Sequence, residues 1–131
     1  MINHFLKELD AFICASDAIS DIEIIRRDIR DTGLEKTLIY RYRLKLKDES
    51  LVELTERLIE EKGNLRTTKY RYHWQTQSGE IIRRWDNAPH HPEIVTFPDH
   101  LHEGSEDNVV SFKKVSVLAI LSDIMGSVNN P

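Results

Sequence analysis

From Leu38 to Lys47 two sets of side chains alternate without a break, Leu38, Tyr40, Tyr42, Leu44 and Leu46 against Ile39, Arg41, Arg43, Lys45 and Lys47. A β-strand turns successive residues to opposite faces, so this run commits the chain to a sheet with one dry face and one wet, basic face. The pattern returns at Thr68, Tyr70, Tyr72 and Trp74, opposed by Lys69, Arg71, His73 and Gln75. Between the two runs, Lys47-Asp48-Glu49-Ser50 and Lys62-Gly63-Asn64 carry turn chemistry. Residues 51–61 suit a helix on Leu51, Leu54, Leu58 and Ile59, or a strand with a solvent-facing break at Glu56; a strand flanked by two hairpins is the more economical element. Upstream, Asp21-Ile22-Glu23-Ile24 continuing toward Ile29 predicts a strand that ends at the turn Asp31-Thr32-Gly33. Downstream, Glu80 to Trp85 predicts a fifth.

Helical spacing appears only at the two ends. Ile2, Phe5, Leu6, Leu9, Phe12 and Ile13 form an amphipathic stripe that Ser16-Asp17 can end, and Val117, Leu118, Leu121, Ile124 and Met125 form another, with Ser111 as its cap and Gly126 as its stop. The expected fold is α+β: an antiparallel meander of about five strands with the N-terminal and C-terminal helices packed on one face. At 131 residues the chain fits a single core. One domain over 1–131 is expected, with a helix at 2–15, the sheet at 20–86, a His-rich functional loop at 87–104, a helix at 112–126, and disorder only in the tail Asn129-Asn130-Pro131.

Charge and cysteine usage narrow the function classes. A lone cysteine, Cys14, forms no internal disulfide and reads as a small buried hydrophobe. Lys7, Glu8 and Asp10 interrupt the apolar N-terminus against a secretory leader, and no run approaches a membrane span, so a cytoplasmic location with no membrane partner is expected. A formal net charge of −4 argues against coating nucleic acid by bulk electrostatics. The chain also lacks a Gly-rich phosphate loop, a Cys cluster and a carboxylate triad, which disfavours nucleotide-driven and metal-carboxylate chemistry.

The segment Arg84-Trp85-Asp86-Asn87-Ala88-Pro89-His90-His91-Pro92-Glu93, followed by Phe97-Pro98-Asp99-His100-Leu101-His102, holds four of the six histidines. Imidazole titrates near neutral pH and is the commonest metal ligand, and a loop this long in a small domain is usually functional. Two chemistries fit. His90, His91, His100 and His102 with Arg84 and Asp86 are candidate catalytic residues, two imidazoles acting as base and acid on an RNA 2′-hydroxyl and its leaving oxygen while Arg84 neutralises the phosphate, without a metal. Alternatively His90 or His91, His100 and His102, with Asp86, hold a divalent ion such as zinc, the favoured set being His91, His100 and His102. The bland reading is that these histidines satisfy loop backbone. Asn87 reads as a turn residue.

A second constellation is the basic face. Arg41, Arg43, Lys45, Lys69, Arg71 and His73 would share one outer surface, with no acid among them, and are candidate nucleic-acid contacts. Tyr40, Tyr42, Tyr70, Tyr72 and Trp74 read as core. Trp85, out of phase with Ile82 and next to the histidines, is the one aromatic expected to line a pocket and stack on a base.

Residues 66–102, above all Tyr70-Arg71-Tyr72-His73-Trp74-Gln75 and the histidine segment, resemble the TumE-type family of small prokaryotic toxin–antitoxin proteins. The resemblance implies the toxin of a type II module, encoded beside a helix-turn-helix antitoxin that binds and silences it. It implies no mechanism. Joined to the residues, it leads to a metal-independent ribonuclease toxin without a cofactor, with RNA and antitoxin as partners and a homodimer allowed. The alternatives are a non-enzymatic toxin that grips RNA or protein, with a structural histidine loop, and a divalent-metal-dependent nuclease.

Overall fold

The computed structural model describes residues 1–130, and Pro131 of the tail lies outside them. Helix α1, Ile2–Ala15, leads into strands β1, Ile19–Asp31, β2, Lys36–Leu46, β3, Leu51–Glu61, β4, Asn64–Gln75, β5, Ile81–Asp86, β6, His100–Glu103, and β7, Val109–Ser111, and the chain closes with helix α2, Val117–Asn129. The strands lie in chain order in one sheet of seven, every neighbouring pair antiparallel. The α+β meander with both helices on one face is as the periodicity requires.

The dry face is the one the alternation marks. Leu38, Tyr40, Tyr42, Leu44 and Leu46 of β2, Val52, Leu54 and Leu58 of β3, and Tyr70, Tyr72 and Trp74 of β4 form one buried cluster with Ile2, Leu6, Leu9 and Ile13 of α1 and Ile120, Leu121, Ile124 and Met125 of α2. Each such side chain contributes about 1.5–3 kcal/mol on leaving water. That is enough to fix register, since a slip by one residue would turn the whole set outward.

The structure departs from the sequence expectations in several places. There are seven strands, not about five, because the segment 87–104 is not all loop: His100–Glu103 pairs with β5 and then with β7. Helix α2 starts after Ser116, not Ser111; Ser116 Oγ accepts from the Ala119 amide at 3.2 Å, whereas Val109–Ser111 is spent as a strand. The helix also runs through Gly126 to Asn129, since a helical glycine weakens a helix without ending it. Cys14 is exposed, one step off the stripe that buries Ile13. Glu56 does not face solvent. It pairs with Tyr40 and Tyr70 across the sheet, on the helix face, and is buried there.

Trp85 is the clearest correction. Its register partners are Tyr72 and Leu101, which places it on the dry face, 2 % exposed and edge-on to Phe112. It is core and cannot stack on a base. The expectation failed because the bulge between Trp74 and Gln75 shifts the phase of the preceding hairpin, so Ile82 is a poor guide to which face Trp85 takes.

Candidate functional site

Register alone assembles the site. Reading across the sheet, Arg43, Glu53, His73, Arg84 and His102 fall in one row, and Arg41, Thr55, Arg71, Asp86 and His100 in the next. Both rows lie on the face away from the helices. Arg84, Asp86, His100 and His102 are nonetheless buried, because the connection 87–99 folds back over the end of the sheet and brings His91 down on them. Asn87 holds this connection in place, its Oδ1 accepting from the Tyr70 amide at 3.1 Å and its Nδ2 donating to the Thr68 carbonyl at 3.2 Å. Tyr70 adds a hydroxyl bond to Asp99 at 2.7 Å.

Asp86 is the hub. Its Oδ1 faces His100 Nε2 at 3.0 Å and accepts from the Ala88 amide at 3.0 Å, while its Oδ2 takes Arg84 Nε at 3.2 Å and lies 3.5 Å from His102 Nε2. The other ring nitrogens are spoken for. His100 Nδ1 donates to the Pro98 carbonyl at 2.9 Å and His102 Nδ1 to the Glu106 carbonyl at 2.8 Å, and since a carbonyl only accepts, both Nδ1 atoms carry the proton. Neutral rings then present lone pairs at Nε2. For His102 that lone pair accepts from Arg84 Nη2 at 3.3 Å, and burial lowers the ring's pKa, with the Arg84 charge adding to the effect. For His100 the lone pair would face a carboxylate oxygen. Such a contact needs a proton on one of the two atoms or a metal cation beside them.

Arg84 is pinned from the far side by Glu106, which meets Nη1 at 2.8 Å and also bonds Nη2. This hydrogen-bonded pairing raises the arginine's pKa and holds the exposed Glu106 carboxyl below the usual range. Glu106 had no place in the sequence reading, and no motif there announces it; only the β6–β7 turn brings it to Arg84. His91 is half-buried, its Nδ1 3.4 Å from Glu93, and its ring stands 5.0 Å from His100 and 5.8 Å from His102, centre to centre. His90 is exposed at the rim, outside this cluster. A pocket of ≈ 240 Å³ opens among these residues, with Lys69, Tyr70 and Arg71 on its wall.

The same three residues also line a second groove of ≈ 450 Å³ that runs on over the sheet past Arg41 and Arg57, so the two adjoin. The basic face is less open than expected. Strand β3 lies between β2 and β4 and brings Glu53, which bonds both Arg41 and Arg43; Arg43 also reaches Glu23 at 3.5 Å, and Lys45 reaches Glu49 at 3.2 Å. The two basic strands, read by themselves, hide the acid between them. Lys69 and Arg71 have no carboxylate at ion-pair distance among the described residues, and they stand between pocket and groove. His73, in the middle of its row, contacts Gln75 Oε1 at 3.0 Å, its Nδ1 is buried without a partner, and desolvation lowers its pKa.

A family model described as Toxin TumE matches residues 9–130. The chain belongs to the TumE toxin family. Comparison with curated proteins and with solved structures found no match. As a TumE toxin it has a toxin's role and a cognate antitoxin as partner. The match covers the second half of α1, the whole sheet and α2, so the pocket's residues from four separate stretches, Lys69–Arg71, Arg84–His91, His100–His102 and Glu106, all lie inside the TumE region. Among the described residues no helix is long and apolar enough to cross a membrane.

Proposed function

We propose that this toxin acts on RNA, cleaving its phosphodiester backbone at the histidine pocket. The observation that carries the reading is that the pocket and the groove adjoin at Lys69, Tyr70 and Arg71. A strand laid in the groove meets Arg41, Arg57, Lys69 and Arg71, and its backbone arrives beside three imidazoles and Asp86. Cations on the approach and imidazoles at the end suit a polyanionic substrate with a reactive phosphate. Arg71 and Lys69, unpaired, are placed to take phosphate charge; Arg84, held by Glu106 and Asp86, positions the cluster and is less free to do so than the sequence suggested.

The resemblance implies a cognate antitoxin of the helix-turn-helix type, and a partner with an acidic segment would compete with RNA for this same face. A second reading has its own support. His100 and His102 are 2 % and 4 % exposed and each staples a backbone carbonyl, as structural histidines do, so a non-enzymatic toxin that grips RNA through the groove would keep the same contacts.

One experiment separates the two. Purified chain is incubated with single-stranded RNA across a salt series, and both binding and backbone cleavage are followed. The expected result is cleavage, with binding whose salt slope falls by about 0.7 for each of Lys69 and Arg71 reversed to Glu. Reversal of Arg41 should cost less, because Glu53 already answers its charge. Stability should hardly change, since exposed charges contribute little. Binding without cleavage supports the gripping toxin, and absence of both removes RNA as the target.

A further inference from the structure

We propose that His91, His100 and His102 bind one divalent first-row metal ion of the zinc class, and that the metal is what the pocket offers a phosphodiester. The second half rests on the RNA reading above; the binding itself does not.

Convergence comes first. One ring nitrogen from each of the three lies within 4.8 Å of the others. A tetrahedral zinc held at about 2.0–2.1 Å places its ligand nitrogens roughly 3.3 Å apart, so the cluster is open by about 1.5 Å at most. The closing movement falls to His91. His100 and His102 are fixed on β6, whereas His91 rides on the irregular connection and is only half-buried.

Orientation is the second observation. A metal-binding histidine almost always donates its far N–H to a carbonyl or carboxylate, which sets the tautomer and aims the lone pair. His100 does so to Pro98 and His102 to Glu106, and the Nδ1 of His91 lies beside Glu93. Two of the rings thus carry the outer partner that ligation needs, and Glu93 stands near enough to serve the third. The rings of His100 and His102 stand edge to face, 4.9 Å apart.

Charge is the third. Arg84 would repel a cation, but its guanidinium lies between two carboxylates, Asp86 and Glu106, so that these three groups together carry one negative charge in excess, with Lys69 and Arg71 farther along the pocket wall. The Asp86 carboxyl, 3.0 Å from His100 Nε2, adds an oxygen donor beside the three imidazoles. With only Cys14 in the chain and that residue on α1, the donor set is imidazole and carboxylate, which suits zinc and its first-row neighbours and not a thiolate metal. Three imidazoles leave a coordination position open for water or a phosphate oxygen, and a bound metal would supply Lewis acidity there.

The test is a direct titration of the full chain. Chelator-treated protein is titrated with Zn²⁺ against a chromogenic zinc indicator, and with Co²⁺ for its visible spectrum, while RNA cleavage is measured separately. The expected result is one equivalent bound, an affinity weakened on the order of 100-fold by His91→Ala or His102→Ala, and no change for His4→Ala on the exposed face of α1. His91→Ala removes a half-exposed loop side chain, so folding does not confound it. Binding that is absent, or that survives both pocket substitutions, overturns the site. One-to-one binding with no cleavage of RNA keeps the site and discards the RNA reading; cleavage that persists in the metal-free chain, with no binding, discards the site and keeps that reading.

Discussion

Cells expressing the His91→Ala chain are expected to keep growing at a soluble level at which the wild-type chain arrests them. A positioned group at a reacting centre is typically worth on the order of 10²–10⁴ in rate, whereas a loop histidine that only satisfies backbone contributes about 1 kcal/mol of stability. These effects fall in different measurements. The one polar partner of the His91 ring outside the cluster is Glu93, so its loss should lower the melting temperature by no more than a few degrees. Asp86→Asn should also lose toxicity, because the amide presents an N–H group toward donors it now accepts from, Arg84 Nε and the Ala88 amide among them. Arg84→Lys should fail for a geometric reason: a lysine cannot span Asp86, His102 and Glu106 together. His4→Ala should leave arrest intact. Arrest that survives every one of the pocket substitutions would assign the histidines to scaffolding.

Glu56→Ala should cost the fold about 3–5 kcal/mol, the largest stability effect expected of a single substitution here. Glu56 is buried among core residues and accepts from the Tyr72 hydroxyl at 2.6 Å, from Thr67 at 3.1 Å and from Tyr40. Alanine would strand two buried phenols and leave a hole. Glu56→Gln keeps the shape and can both accept and donate, so its cost should stay below about 1 kcal/mol at neutral pH. The pair also predicts a pH dependence. Burial raises the Glu56 pKa in the folded state, so the folded chain holds this proton more tightly than the unfolded chain does. The associated stability is fully present below the unfolded carboxyl's pKa, about 4.3, and is lost as pH rises through the folded value. Denaturant midpoints compared across that window should show wild type losing stability relative to Glu56→Gln as pH increases. A constant difference would mean that folding does not change the proton affinity of Glu56.

How much the sequence discloses depends on how local the determining physics is. Strands β2 and β4 are legible because ten and eight unbroken residues of alternation leave no other element to choose, and both helices are legible from stripes that bury Leu6, Leu9, Leu121 and Ile124. Strand β6 is only four residues and follows Pro98, yet His100-Leu101-His102 already alternates, with Leu101 inward and both histidines outward; its partner, not its propensity, makes it a strand. Register is what single strands cannot show. Glu53 enters the basic face, Trp85 enters the core and Glu56 turns from solvent to the helices only once β3 and β5 are aligned with their neighbours. The candidate site was visible as residue types, four histidines with Arg84 and Asp86 in one segment, while its connections were not: Glu106, Lys69 and Arg71 reach it from other hairpins.

The claim on which the rest depends is that this toxin works through the pocket on the outer face of its sheet, on RNA. The most direct measurement is the RNA of arrested cells, its 5′ and 3′ ends mapped after equal soluble expression of the wild-type and His91→Ala chains. New ends that appear with the wild type and vanish with His91→Ala are the predicted result; wild-type arrest without new ends, or the same ends from both chains, would contradict it.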